Sequence, residues 1–315
     1  MACQMILRAG VAFFALAAAS PAFAQCSMPP ELVARICNDP ALAKLDAQLV
    51  EKEKAVQAIT HRPTTWAARA RSFRANIAVE KDFDGKLIDA ATLASHITDR
   101  MAALDGELQR AAAILPATGE AAILGEICLS KWLVLDCKVP AAGILRGADG
   151  TRILYQLLAG SSEEDGIGMG VMLWDVTRAG APRPIGSMFE GVVMENPRFD
   201  SERQLLWVTG RTTGTADGNA DILYQKQAGK WVEIDLESWQ NDLARRLPEG
   251  VGAWHGVDYD LTGLFAETEL WKDNDANCCA TGGRATLDFE IVGNTLTLKA
   301  ISAQIGGPDT AWKDF

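Results

Sequence analysis

The residues best suited to chemistry in this sequence are three histidines, and their spacing does not predict a catalytic site. His61, His96 and His255 are isolated, with no H-E-x-x-H pair and no second histidine at the spacing of a metal site. Trp254 and Asp258 lie close to His255, but the G-x-S-x-G motif that presents a serine nucleophile is absent. We therefore expect no catalytic residue and no cofactor, and a binding protein in preference to an enzyme.

Two acidic segments have the D-x-[DN]-x-[DN] spacing with which oxygen ligands can surround Ca²⁺. The alternating residues are Asp217, Asn219 and Asp221 in one segment, and Asp273, Asp275 and Asn277 in the other. Neither continues as an EF-hand loop, because the sixth position is Ile222 or Cys278 where that loop needs glycine. A polar turn is the commoner explanation, so Asp273, Asp275 and Asn277 are only weak calcium candidates.

The first 24 residues predict a cleaved secretory signal peptide. Arg8 supplies the positive charge, residues 11–19 form a short apolar run, and Ala22-Phe23-Ala24 fits the A-x-A cleavage pattern. The mature chain would begin near Gln25 and reach the periplasm or be secreted. No later stretch is apolar enough for a membrane helix, so we expect no transmembrane anchor.

Cleavage there would leave an even number of cysteines, which predicts disulfides in an exported protein. These are Cys26, Cys37, Cys128, Cys137, Cys278 and Cys279. Cys128 and Cys137 flank an apolar stretch and could close one loop. The adjacent pair Cys278 and Cys279 could bond to each other or to separate partners, so the pairing stays open.

The apolar pattern divides the mature chain into two regions, so we predict an α+β fold. Helical spacing from residue 29 to about 115 predicts an antiparallel helical bundle over residues 25–115. The Pro- and Gly-containing segment 116–125 is predicted as a linker. Short apolar runs between Gly, Asp and Asn clusters then predict an antiparallel β sandwich or barrel-like domain over 126–315, with hairpins at Ala228-Gly229 and Gly293-Asn294 and a helix over 237–247.

Charge is distributed unevenly between these regions. Residues 26–115 hold 12 basic and 12 acidic side chains, whereas residues 116–315 hold 17 basic and 29 acidic ones. A net charge of −12 in the second region repels nucleic acid and favours basic partners. Eight tryptophans also fall after residue 130, and aromatic rings can stack on sugars, although most should lie in the core.

The first region carries a recognisable motif. The motif opens with Cys26 and Cys37, which are separated by ten residues. Aspartate, proline and leucine residues follow, and then a segment with one tryptophan and three arginines. The residues after Cys37 are Asp39, Pro40, Leu42, Leu45, Asp46, Leu49, Trp66, Arg69, Arg71 and Arg74. This pattern resembles the N-terminal domain of LprI-type lysozyme inhibitors over residues 26–110. One departure is that the second cysteine pair typical of the family is absent between Cys37 and Cys128.

The resemblance implies an exported, non-catalytic inhibitor of lysozyme-like cell-wall hydrolases. Its partner would be a basic protein, which suits the acidic second region. The alternative is a periplasmic envelope protein that binds a glycan or calcium through the β domain. From the residues themselves, the motif has a structural meaning: Asp39 caps a helix, its leucines face the core, and Cys26 and Cys37 could clamp the leading helix.

Overall fold

The computed structural model describes residues 30–162, 166–212, 214, 218–253, 255–276 and 278–315. The predicted signal peptide and Cys26 lie outside these residues. The chain combines α-helices with antiparallel β-sheets, which confirms the predicted α+β class. Among the described helices, none is both long and apolar enough to cross a membrane.

Four helices occupy the first third of the chain, and each begins where the sequence provides a start signal. They are α1 (Pro30–Cys37), α2 (Pro40–Ile59), α3 (Pro63–Val79) and α4 (Ala90–Ala112). Proline opens the first three helices, at a position where its missing N–H has no intrahelical acceptor to lose. The carboxylate of Asp39 accepts hydrogen bonds from the N–H groups of Ala41 and Leu42, which confirms it as the N-cap of α2.

The helices share one apolar core. It contains the buried residues Leu32, Ile36, Leu42, Leu49, Val56, Trp66, Ile77, Ala78, Ile88, Leu93, Ile97 and Leu104. α2 packs against α3 and α4, while α1 lies against α2 and α3. We call α1–α4 the helical region.

The segment predicted as a linker is folded into the protein. It contains the short helix α5 (Glu120–Ile123), and the side chain of Ile123 is fully buried. The buried amide of Gln156 donates to the carbonyls of Ile123 and Ile127 and accepts from the N–H of Leu129. These bonds satisfy the irregular backbone, so the segment is attached to the first β-sheet.

The rest of the chain, which we call the β region, contains sixteen strands and one helix in the described residues. The strands are β1 (Leu135–Arg146), β2 (Arg152–Ser162), β3 (Gly166–Asp175), β4 (Arg183–Gly191), β5 (Val193–Met194), β6 (Arg198–Asp200), β7 (Leu205–Val208), β8 (Gly210–Arg211), β9 (Ile222–Gln227), β10 (Lys230–Glu233), β11 (Val251–Gly252), β12 (Asp258–Asp260), β13 (Phe265–Lys272), β14 (Gly283–Val292), β15 (Thr295–Ile305) and β16 (Lys313–Asp314). The helix α6 spans Gln240–Arg246, shorter than the predicted 237–247, because the carboxylate of Asp235 binds the N–H groups of Glu237 and Ser238 in a preceding turn.

These strands form three main antiparallel sheets. The first has the order β1-β2-β3-β4, the second β10-β9-β7-β6, and the third β11-β13-β14-β15-β16 with β12 beside β13. A separate pair joins β5 to β8. The predicted hairpins at Ala228-Gly229 and Gly293-Asn294 are confirmed, since they connect β9 to β10 and β14 to β15.

The second sheet is buried on both faces. Along β7, Leu205 and Trp207 join the core shared with the third sheet, whereas Leu206 and Val208 join the core shared with the first. Alternate side chains of a strand point to opposite faces, so a strand in a middle layer needs apolar residues at every position. This requirement explains the continuous apolar run Leu-Leu-Trp-Val.

The turn between β9 and β10 generates a stability prediction. Ala228 has φ +48° and Gly229 has φ +79°, the left-handed backbone of a type I′ turn. Because alanine is disfavoured there, we expect Ala228→Asn to raise the free energy of unfolding by about 0.5–1 kcal/mol. Urea unfolding of both proteins measures it. Gly229→Ala should lower the free energy, and a loss of stability in Ala228→Asn would contradict the assignment.

Candidate functional site

The motif residues of α2 face the helical core. Leu42 and Asp46 are buried, and Leu45 is half-buried against the same core. Asp46 lies 3.9 Å from a guanidinium nitrogen of Arg74, which also binds Glu53. Burial raises the pKa of Asp46, and the Arg74 charge opposes that shift. These side chains therefore make their contacts within the protein.

Trp66 is buried beneath two cationic side chains. The guanidinium carbons of Arg69 and Arg100 lie 5.2 Å and 5.0 Å from the centre of its indole ring. Such contacts stabilise a desolvated guanidinium through the negative face of the ring. The Trp–Arg segment of the motif thus positions Arg69 at the end of α3 that faces the β region.

A buried ion pair attaches the start of α3 to β10. The guanidinium of Arg62 donates from Nε to Oε1 of Glu233 at 3.1 Å, and both side chains are almost fully buried. Glu233 also accepts from the N–H groups of Thr64 and Thr65 and from the hydroxyl of Thr65. The carboxylate therefore occupies the N-terminal end of α3, where helix N–H groups favour negative charge.

Arg69 extends this attachment to two more carboxylates. It binds Glu190 at the end of β4 with two hydrogen bonds of 3.1 and 3.2 Å, and it binds Glu237 at 2.8 Å. Although burial acts to raise it, the guanidiniums of Arg69 and Arg62 lower the pKa of Glu190 to about 2. We call Arg62, Arg69, Glu190, Glu233 and Glu237 the junction network.

The loop between α3 and α4 presents an aromatic side chain to solvent. Phe83 is completely exposed, with a relative accessibility of 111%. The turn beneath it is closed by the bonds from Asp82 N–H to the Lys86 carbonyl, 2.7 Å, and from Gly85 N–H to the Asp82 carbonyl, 3.0 Å. The Asp82 carboxylate accepts from the N–H groups of Asp84 and Lys86. Phe83 therefore projects into solvent from a hydrogen-bonded turn, within the segment that we call the Phe83 loop (residues 80–88).

The Phe83 loop lies at the end of the helical region far from the junction network. α3 starts at the network and has 17 residues, so its far end is roughly 25 Å away. The Arg35 guanidinium of α1 donates to the carbonyl of Ile88 and supports the base of the loop. Cys37, at the end of α1, is disulfide-bonded. Arg35 of α1 therefore braces this loop.

The cysteine predictions have different outcomes. Cys128 and Cys137 form a disulfide with Cα atoms 6.3 Å apart, which closes the loop predicted between them. Cys278 and Cys279 are bonded to each other, which was one of the open alternatives. Cys26 lies outside the described residues.

The calcium candidates stay untested as a set, because Asn277 lies outside the described residues, as does Asp217 in the other segment. The Asp275 carboxylate accepts from the N–H of Lys272 and from the N–H and hydroxyl of Thr281, so both oxygens serve the local turn. Within the described part of the chain, no group of three or more His, Cys, Asp or Glu residues is arranged to hold a metal ion.

The three histidines have different partners in the fold. His61 Nδ1 lies 3.2 Å from the Ser187 hydroxyl at the junction, and burial lowers its pKa. His96 contacts Glu80, and His255 stacks on Trp271 with ring centres 4.0 Å apart. None of these three contacts joins one histidine to another.

Comparisons with models of protein families, with curated proteins and with solved structures found no match to this chain. The likeness to LprI-type domains therefore rests on the motif residues described above. The motif residues Trp66 and Arg69 lie inside the protein, where Arg69 belongs to the junction network. The external Phe83 loop is supported by Arg35 of α1, which is not a motif residue.

The junction network predicts a dependence of stability on acidity. Because the pKa of Glu190 falls from 4.5 to about 2 on folding, its contribution is present above pH 4.5 and lost as pH falls towards 2. We expect Glu190→Gln to lower the free energy of unfolding at pH 7 by about 3 kcal/mol and to flatten its dependence between pH 4.5 and 2.

Urea unfolding at several pH values measures this change. Glu195→Gln is the matched control, because Glu195 forms an exposed ion pair with Arg198 that should contribute little. Parallel pH profiles for Glu190→Gln and the wild type would show that the network does not depend on the Glu190 charge.

Proposed function

We propose that this chain is an exported, non-catalytic binding protein that inhibits a basic lysozyme-like cell-wall hydrolase through the Phe83 loop. The observation that carries the proposal is the full exposure of Phe83 on a hydrogen-bonded turn. Exposed aromatic side chains are frequent anchors of protein interfaces. Because hydrogen bonds hold the backbone of the turn, binding has to order only the Phe83 side chain, which limits the loss of conformational entropy.

Charge supports a basic partner. Asp82 and Asp84 flank Phe83, and residues 80–89 contain four acidic and two basic side chains. The β region adds a larger excess of acidic residues. Opposite charges accelerate encounter, whereas close packing around an anchor slows dissociation. The loop therefore combines an apolar contact with a charge that attracts a basic surface.

The motif resemblance supports the same assignment. In this proposal, residues 25–115 form an antiparallel LprI-type helical bundle, and residues 126–315 form a β sandwich or barrel-like domain. Trp66 packs on Arg69 of the junction network, so the motif contributes to recognition by holding the bundle and its loop in place. Export to the periplasm or the medium, through cleavage near Ala24, brings the chain to cell-wall hydrolases.

The proposal predicts the effect of removing the aromatic anchor. With the mature chain immobilised, surface plasmon resonance against a basic lysozyme should show at least about 30-fold weaker binding for Phe83→Ala, the loss typical of an interface anchor. Ile167→Ala is the control, because Ile167 is 83% exposed at the start of β3 and should leave affinity unchanged.

Circular dichroism confirms that the variants fold, and a cell-wall lysis assay measures inhibition. Undiminished lysozyme activity at large molar excess of the wild-type protein would contradict the proposed target. Equal affinity of Phe83→Ala and wild type would instead show that another surface makes the contact.

A further inference from the structure

The outer face of the third sheet carries a groove that has no role in the function proposed above. Alternate residues of β13 and β14, such as Ala266 and Leu287, join the core, so the residues between them point away from it. The groove lies over these outward positions and has a volume of about 300 Å³, at the lower end of the range of about 300–1,000 Å³ for small-molecule sites. Its lining includes Asp258, Glu267, Glu269, Arg284, Thr286 and Trp312.

Trp312 forms one wall of the groove and remains accessible to solvent. The guanidinium of Arg284 covers one side of the indole, with its central carbon 5.3 Å from the centre of the ring. Trp312 is nevertheless 43% exposed, so its accessible surface lies on the other side of the ring and at its edges. An exposed indole that is supported from behind provides a flat apolar surface for a ligand.

The segment that carries Trp312 is bonded to the sheet beneath it. The buried amide of Gln304 donates to the carbonyls of Pro308 and Thr310, at 2.7 and 2.6 Å. The amide oxygen of the same side chain accepts from Nε of Arg284 at 3.0 Å. Gln304 thus holds both the backbone before Trp312 and the guanidinium behind its ring, so binding has to order little of this backbone.

Hydrogen-bond donors and acceptors lie side by side on the floor of the groove. Glu269 on β13 is opposite Arg284 on β14, and Glu267 is opposite Thr286. Both glutamates are exposed, so a ligand in the groove can reach their carboxylate oxygens. Arg284 is exposed as well, and its two terminal nitrogens are donors in addition to the Nε that binds Gln304.

This combination of groups suits a sugar. Each hydroxyl group of a sugar both donates and accepts hydrogen bonds, so neighbouring hydroxyls can bind a carboxylate and a guanidinium together. The C–H side of a pyranose ring is flat and apolar, and it can cover an exposed indole. An organic cation would use the carboxylates alone, and the Arg284 charge behind the indole opposes a second cation in front of it.

We propose that this groove binds a neutral saccharide, with one pyranose ring stacked on Trp312 and its hydroxyl groups bonded to Glu269 and Arg284. The stacked ring contributes affinity, and the paired charges fix the orientation of the hydroxyls. The site belongs to the β region and does not involve the Phe83 loop. It therefore stands independently of the proposed inhibition of a hydrolase.

Isothermal titration calorimetry of the mature protein with chitotetraose and with maltotetraose tests the site. We expect saturable binding of at least one of these neutral saccharides. Trp312→Ala should weaken it at least about tenfold, because the stacking surface is lost, whereas Trp312→Phe keeps a ring and should retain most of the affinity. Glu269→Gln should weaken it about fivefold or more, since a neutral amide replaces a charged acceptor.

Two variants serve as matched controls. Phe83→Ala removes an exposed aromatic side chain from the helical region, and Glu290→Gln removes an exposed carboxylate from β14 outside the groove. Both should bind the saccharide as the wild type does, and circular dichroism checks that every variant folds. A wild-type protein that binds the saccharide without inhibiting lysozyme would refute the inhibitor proposal and support this one.

The same titrations define the contrary results. Binding of neither saccharide to the wild type, or equal affinity in Trp312→Ala, would overturn the proposal. Binding of tetralysine but of neither saccharide would also overturn it, because the groove would then be a site for cations.

Discussion

The buried ion pairs between α3 and the β region are the interaction on which the arrangement of this protein depends. Moving a guanidinium and a carboxylate out of water is costly, and their attraction compensates only when further hydrogen bonds satisfy both groups. Glu233 meets this condition, because Arg62, Thr64 and Thr65 all donate to it. The geometry that satisfies these donors fixes the position of α3 on β10, so the network gives orientation as well as stability.

Because the start of α3 is fixed on the β region, the position of its other end is fixed as well. The far end, with the Phe83 loop, extends away from the β region and is braced by Arg35. A cleft lined by Asp221 forms beside the network, where Arg62 and Arg69 approach the residues before β9 and α6. The direction of the exposed loop and the position of this cleft thus follow from the same attachment.

The sequence predicted local features well, because their causes are local. Proline and aspartate at helix starts, the glycine turns and the apolar runs of β7 and β9 each act over a few residues. The junction was not predictable in this way, since Arg62 and Glu233 are 171 residues apart and look like ordinary surface charges. The same holds for Asp221, which the spacing suggested as a calcium ligand and whose burial depends on segments distant in the chain.

Phe83 had a weak signal in Asp-Phe-Asp-Gly, where an aromatic residue interrupts a polar turn. Residues 116–125 have a linker composition, yet α5 folds there because Gln156 binds its backbone.

A double-mutant cycle of Arg62→Met and Glu233→Gln, followed by urea unfolding, tests the role of the junction most directly. Each residue belongs to a different region, so their coupling reports the attachment itself. We predict a coupling energy of about 1.5 kcal/mol or more, with each single variant strongly destabilised by the charge it leaves buried. Additive effects within about 0.5 kcal/mol would contradict the claim that this pair holds the helical region on the β region.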